Sequence, residues 1–154
     1  PAPFIPASPP RVGPGASGAA VTALSQSATV NPPVSAAPSV VVEGVNGSPV
    51  SGVSVTFAVA SGGGGVTGPT QTTNAAGLAT VGSWKLGTVA AANTLTATVT
   101  ALTPVTFTGT GTAGLPTTLV KISGDAQSAN LNTALPQPLV VEARDAFTNP
   151  VPAV

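Results

Sequence analysis

The 154-residue chain has no cysteine, histidine, methionine or tyrosine, and each absence closes a class of chemistry. Without cysteine there is no disulfide, no thiolate nucleophile and no thiolate metal site, and the redox compartment is left open. Without histidine, a serine or threonine nucleophile would need a lysine as its base, and neither Lys85 nor Lys121 sits in a motif of that kind. Charge is equally scarce. Four acids (Glu43, Asp125, Glu142, Asp145) balance four bases (Arg11, Lys85, Lys121, Arg144), so charged residues are 5% of the chain, against about 25% in an average domain. Four scattered bases cannot replace the counterions of a polyanion, which excludes nucleic acid as a partner. No apolar run approaches the roughly 18 residues of a membrane span. The expectation is a protein that is not an enzyme, with no cofactor and no resident metal.

What is present is glycine (18), proline (17) and 42% hydrophobic residues, enough apolar side chains for a core despite a composition near the low-complexity edge. A chain with few ionic groups and no net charge favours association over dispersal, so neighbours are expected. Solubility falls to hydroxyl groups, which are dense in the threonine-rich segments 93–112 and 69–73. The chain opens at Pro1 with no initiator methionine, as expected of a processed product or a piece of a longer polypeptide.

Residues 1–20 combine proline with glycine and serine, a mixture that blocks helix and regular ladder pairing and favours an extended arm or linker. Its two large apolar side chains, Phe4 and Ile5, are candidates to dock on a neighbouring subunit. From Val21 onward the period is two. Val53, Val55, Phe57 and Val59 alternate with small or hydroxylic residues, Leu95, Ala97 and Val99 alternate with threonines, and Val105 and Phe107 do the same. Threonine suits the wet face of a strand, because its branched Cβ favours extended backbone and its hydroxyl stays solvated. Ser39–Val45 and Leu78–Trp84 read as further strands, with Trp84 expected to be partly buried. Asn46-Gly47 predicts a turn with positive φ at both corners. Asn74-Ala75-Ala76-Gly77 predicts a second, and Ser61–Gly65 a flexible connection with no Lys-Ser/Thr pair or helix after it to make a phosphate loop. Asn46-Gly47-Ser48 also spells a glycosylation sequon, which its turn role explains more simply.

Short strands with turns every roughly 8–12 residues predict an all-β fold, an immunoglobulin-like β-sandwich over residues 21–113. The chain then begins to repeat itself. Val40-Val41-Val42-Glu43 returns as Leu139-Val140-Val141-Glu142, 99 positions on, and Pro49-Val50 returns as Pro150-Val151, 101 positions on. Residues 114–154 therefore read as the first strands of a second unit. So short a half-sandwich cannot offset its own ordering entropy. Leu119, Ile122, Leu139 and Val141 are expected to need a covering sheet, from the continuing chain or from another subunit by β-augmentation.

Glu142, Arg144 and Asp145 are the densest cluster of charge. Carboxylates there, with Asp125, are of the type that holds Ca²⁺, but strand alternation places Glu142 and Arg144 on one face and Asp145 by a turn, which predicts a local ion pair on a solvated strand.

The stretch Gly47-Ser48-Pro49-Val50-Ser51-Gly52-Val53-Ser54-Val55-Thr56-Phe57, followed by Thr72-Thr73-Asn74-Ala75-Ala76-Gly77-Leu78-Ala79-Thr80-Val81, Trp84 and Asn93-Thr94-Leu95-Thr96-Ala97, resembles the bacterial immunoglobulin-like (Big) repeats of invasin- and intimin-type surface proteins and related exported or phage structural proteins. The resemblance covers about 90 residues. It implies a tandem sandwich module at a cell or virion surface, acting as spacer or building block of a fibre, filament or appendage. Its partners would be identical subunits or neighbouring immunoglobulin-like domains. The alternative it allows is an adhesin repeat whose loops bind a host receptor or glycan.

Overall fold

The computed structural model describes residues 12–13 and 16–152, all β-strand, turn and loop with no helix among them. The chain divides into two compact units, Pro1–Gly111 and Thr112–Val154.

The first unit is a sandwich of two antiparallel-rich sheets. One holds β1 (Ser17–Ala20), β3 (Ser39–Glu43) and β7 (Leu78–Thr80), in the order β1-β3-β7. The other holds β2 (Ser25–Thr29), β4 (Ser54–Ser61), β6 (Thr70–Thr72), β9 (Ala92–Thr98) and β10 (Val105–Thr112), in the order β2-β10-β9-β4-β6. A small ribbon pairs β5 (Gly65–Thr67) with β8 (Ser83–Lys85). The period of two is what builds this. Val40 and Val42 from one sheet meet Val55, Phe57, Leu95, Ala97 and Phe107 from the other in a single buried cluster. Phe57 lies opposite Ala97, and Phe107 opposite Leu95, so large side chains are set across from smaller ones in adjacent strands.

Four expectations are corrected. The arm gives way to pairing before residue 20, because Ser17–Ala20 contains no proline and its amides are free to pair with Val40–Glu43. Leu78–Trp84 is two strands, one in the β1-β3-β7 sheet and one in the β5–β8 ribbon, since Gly82 closes tightly on Thr67 and turns the chain out of the β3 ladder. Trp84 is wholly buried, because β10 offers it glycine: a Cβ on Gly109 would stand 2.9 Å from the indole ring and 2.6 Å from Leu86. Thr73 is not a solvated hydroxyl; it is buried, donating to the Val50 carbonyl (2.7 Å) and accepting from the Val53 amide (2.9 Å).

The Asn46-Gly47 turn forms with one positive φ, at Gly47 (72°), and Asn46 is not left-handed. Gly47 N–H donates to Gly44 O and Gly44 N–H to Ser48 O, so this is a three-residue hairpin loop with a glycine bulge.

The second unit pairs β11 (Thr118–Ser123) with β12 (Val140–Arg144). It repeats the β1–β3 pairing of the first unit at a constant offset. Ser17 lies opposite Glu43 and Gly18 opposite Val42; Thr118 lies opposite Arg144 and Leu119 opposite Ala143. The bridges Glu43 to Pro49 and Arg144 to Pro150 lie 101 positions apart, which corrects the offset of 99 read at the strand. The error was two residues, and a shift of two returns each side chain to the same face.

Candidate functional site

The candidate sites are a groove in the first unit and an open face in the second. Among the described residues no group of three or more acidic side chains is placed to hold a metal.

The groove has a volume of about 590 Å³ and runs between the Gly62–Gly65 loop and the segment after β8. The loop is tightly fitted where the sequence suggested slack. Gly64 has φ +79° and its missing Cβ would lie 2.1 Å from the Lys85 carbonyl oxygen, so only glycine lets the two backbones meet. Beneath it, the buried Asn93 carboxamide accepts from Gly87 N–H (2.9 Å) and donates to Ala91 O (3.0 Å), fixing the neighbouring turn. Asn31, Thr67, Ser83, Lys85 and Val89 line the walls. Lys85 is the one charged residue of the lining, and no aromatic ring faces the space, the indole of Trp84 being inside the core.

The second unit places its side chains very differently from their counterparts. At the offset of 101, Gln26-Ser27-Ala28 returns as Gln127-Ser128-Ala129, and a hydrogen bond repeats with it: Gln26 Oε1 accepts from Ala36 N–H, and Gln127 Oε1 from Gln137 N–H. Asn31 and Asn132 also share a left-handed φ, 74° and 65°. Yet Val30 is 2% exposed while its counterpart Leu131 is 99% exposed. Val40 is 2% exposed and Val141 62%. Pro38 is among the fully buried residues, whereas Leu139 is 70% exposed.

Of the four candidate assembly residues in this unit, three therefore stand at positions that the first unit shields: Leu119 (counterpart Gly18, half-buried), Leu139 and Val141. Ile122 does not belong with them, since its counterpart Val21 is exposed in the completed unit as well, at 56% against 52%. Leu131 and Leu135 were missed at the sequence level. The repeated Gln-Ser-Ala triplet, which fixes the offset at 101, would have found them. Phe4 and Ile5 lie outside the described residues.

The charged residues of this unit resolve into three separate parts. Arg144 Nε pairs with Glu142 on one half-buried face of β12, and Lys121 pairs with Asp125 at the surface. Asp145 is buried at the hairpin corner. Its Oδ1 accepts from the amides of Phe147 (2.8 Å) and Asn149 (2.9 Å), its Oδ2 from Gly114 N–H (2.9 Å), and the Asn149 side-chain amide reaches both oxygens. Burial raises its pKa, but the Asn149 carboxamide and the three backbone donors outweigh that and hold it at about 2. A carboxylate ringed by N–H donors is a corner post for the turn, and its lone pairs are committed to those donors.

Comparison with known protein families gives no match to this chain, and no curated protein matches it.

Proposed function

We propose that the chain is a non-enzymatic structural module, an immunoglobulin-like building block or spacer of an extracellular fibre, filament or virion appendage, that assembles through β-sheet contacts. The reading is carried by one observation: a finished sandwich is followed by the opening hairpin of a second, whose apolar positions are built in the same register and left open to water. Low charge acts in the same direction, since little repulsion opposes close approach of neighbours. The strand order β1-β3-β7 against β2-β10-β9-β4-β6, with the chain crossing between sheets after β1, is compatible with the immunoglobulin-like part of this reading. The adhesin alternative would use the glycine-walled groove, but glycan and protein hot spots favour exposed Trp and Tyr, and the groove lining carries neither.

Sedimentation velocity of the purified chain over a wide concentration range, with electron microscopy at the upper end, tests this. The expected result is association that grows with concentration and end-joined particles. A monomer at every concentration, with the second unit's amides already protected from exchange, would overturn it.

A further inference from the structure

We propose that the free edge of β12, at Val140–Ala143, is an acceptor for one antiparallel strand of defined chemistry, glycine followed by a large apolar residue, alanine and threonine, supplied by a partner polypeptide other than a second copy of this chain. This deepens the assembly reading and rests on it.

The first unit supplies the template. There β3 is paired on both edges, by β1 on one side and β7 on the other, with Val41 opposite Leu78, Val40 opposite Ala79 and Ser39 opposite Thr80. β12 has the β1-type partner, β11, and no strand on its other edge among the described residues. Moved by 101, the β7 register places a large apolar residue opposite Glu142, alanine opposite Val141 and threonine opposite Val140. The bond that opens the β3–β7 ladder, Val42 N–H to Gly77 O (2.8 Å), has its counterpart donor in Ala143. Antiparallel alternation then directs the Val141 amide to the same edge.

The glycine is the specific element. A Cβ on Gly77 would lie 2.6 Å from Val42 O, 3.0 Å from Pro49 Cβ and 3.1 Å from the Val50 amide nitrogen. The second unit has Pro150 and Val151 at the corresponding places, and Val151 N–H bonds Ala143 O just as Val50 N–H bonds Val42 O. The same wall therefore stands beside the open edge, and a partner strand passes it only with glycine there. The occupant does not come from this chain's own strands, because β1–β10 are each already paired within the first unit. Leu139, Val140 and Val141 carry no charge and no proline of the kind that protects a strand edge against pairing, and Glu142, the one charged residue of the edge, is tied to Arg144.

The test attaches a copy of the segment Ala75–Gly82 to the end of the full chain through a flexible Gly/Ser linker, which sets an effective concentration of about 1 mM. A second version carries Gly77→Val in the attached copy only, so the folded units are untouched. Amide exchange by NMR is the readout. With the glycine copy, the Val141 and Ala143 amides are expected to exchange about tenfold more slowly than in the unextended chain, and the Gly77→Val copy is expected to give no slowing. Equal behaviour of the two copies, no slowing with either, or protection that falls on β11 would overturn the proposal. So would slowing in the unextended chain that rises with its own concentration, since a second copy would then be the occupant. The sedimentation experiment stands apart: an acceptor edge that binds the copy on a chain that stays monomeric would sink the assembly reading and leave the edge, whereas assembly without edge protection would do the reverse.

Discussion

The two units carry one hairpin design in two environments. In the first, Val40 and Val42 look into a sheet that contains Phe57, Leu95 and Phe107, and the hairpin contributes to a core closed around Trp84. In the second, the pairing, the turn and the Gln127–Gln137 bond are all reproduced, yet among the described residues the buried side chains are reduced to Ala143, Asp145 and Asn149. The difference teaches that ladder pairing and turn chemistry are local properties, written within a stretch of roughly 35 residues, whereas burial is supplied by strands that come from far along the sequence. Where those strands are missing, hydrogen-bonded polar groups take over: Asp145 and Asn149 hold the second turn where Gly44 and Ser48 sit in the first.

The largest break in the comparison comes from removing the cover. Phe107→Ala empties the centre of the first unit and is expected to cost about 3–5 kcal/mol, a large share of a domain's stability, read as a fall in denaturation midpoint. The second unit has no such residue to lose. The matched pair Val30→Ala and Leu131→Ala makes this direct. Val30 lies against the backbone of Gly111, and its truncation is expected to cost about 2 kcal/mol. Leu131→Ala is expected to change stability by less than about 0.5 kcal/mol. Equal costs would mean that Leu131 is already covered in solution.

Much of this was legible in the sequence, and the parts that were not have identifiable causes. Alternation in 53–59, 94–100 and 105–110 predicted the strands β4, β9 and β10 and their inward faces, with β9 ending at Thr98, because a half-buried strand is a local pattern. Trp84 was misjudged because its burial depends on Gly109, distant in sequence, whose value lies in a side chain it lacks. The sequence offset of 99 failed for a related reason. A run of valines matches itself at several shifts, whereas the less repetitive Pro-Val pair and Gln-Ser-Ala triplet, together with the turn bonds, fix the true one. The groove was illegible, since its walls are backbone of Gly62–Gly65 meeting backbone after β8, and close approach of two loops leaves no periodic mark.

A smaller test exchanges the turns. Thr148 (φ 67°) occupies the left-handed corner that Gly47 (φ 72°) fills in the first hairpin, a conformation that costs a branched residue roughly 1–2 kcal/mol. Thr148→Gly is expected to stabilise the second hairpin by about 1 kcal/mol, and Gly47→Thr to destabilise the first by a similar amount, both measured by amide exchange at the turn. If neither change moves its hairpin, the turns are held by packing and the local account of the repeat is wrong.

A last expected effect is confined to the second unit and depends on pH. Asp145 has its pKa lowered from 3.8 to about 2, with burial raising it and the Asn149 side chain and the Gly114, Asn149 and Phe147 amides lowering it further than burial raises it. A carboxylate whose folded value is depressed contributes stability that is fully present above the unfolded value and is lost as pH falls through the folded one. Between neutral pH and about pH 4 the hairpin should be unchanged; from there down to about pH 2 the Gly114, Phe147 and Asn149 amides should lose protection. The first hairpin has Gly44 at the equivalent position and no carboxylate in its turn, so its Gly47 amide should show no transition in that window. Asp145→Asn should abolish the pH dependence while keeping one oxygen acceptor in the turn. A transition in both hairpins, or one in the second that survives the substitution, would place the titrating group elsewhere and remove the charged corner post as the feature that lets an uncovered hairpin keep its shape.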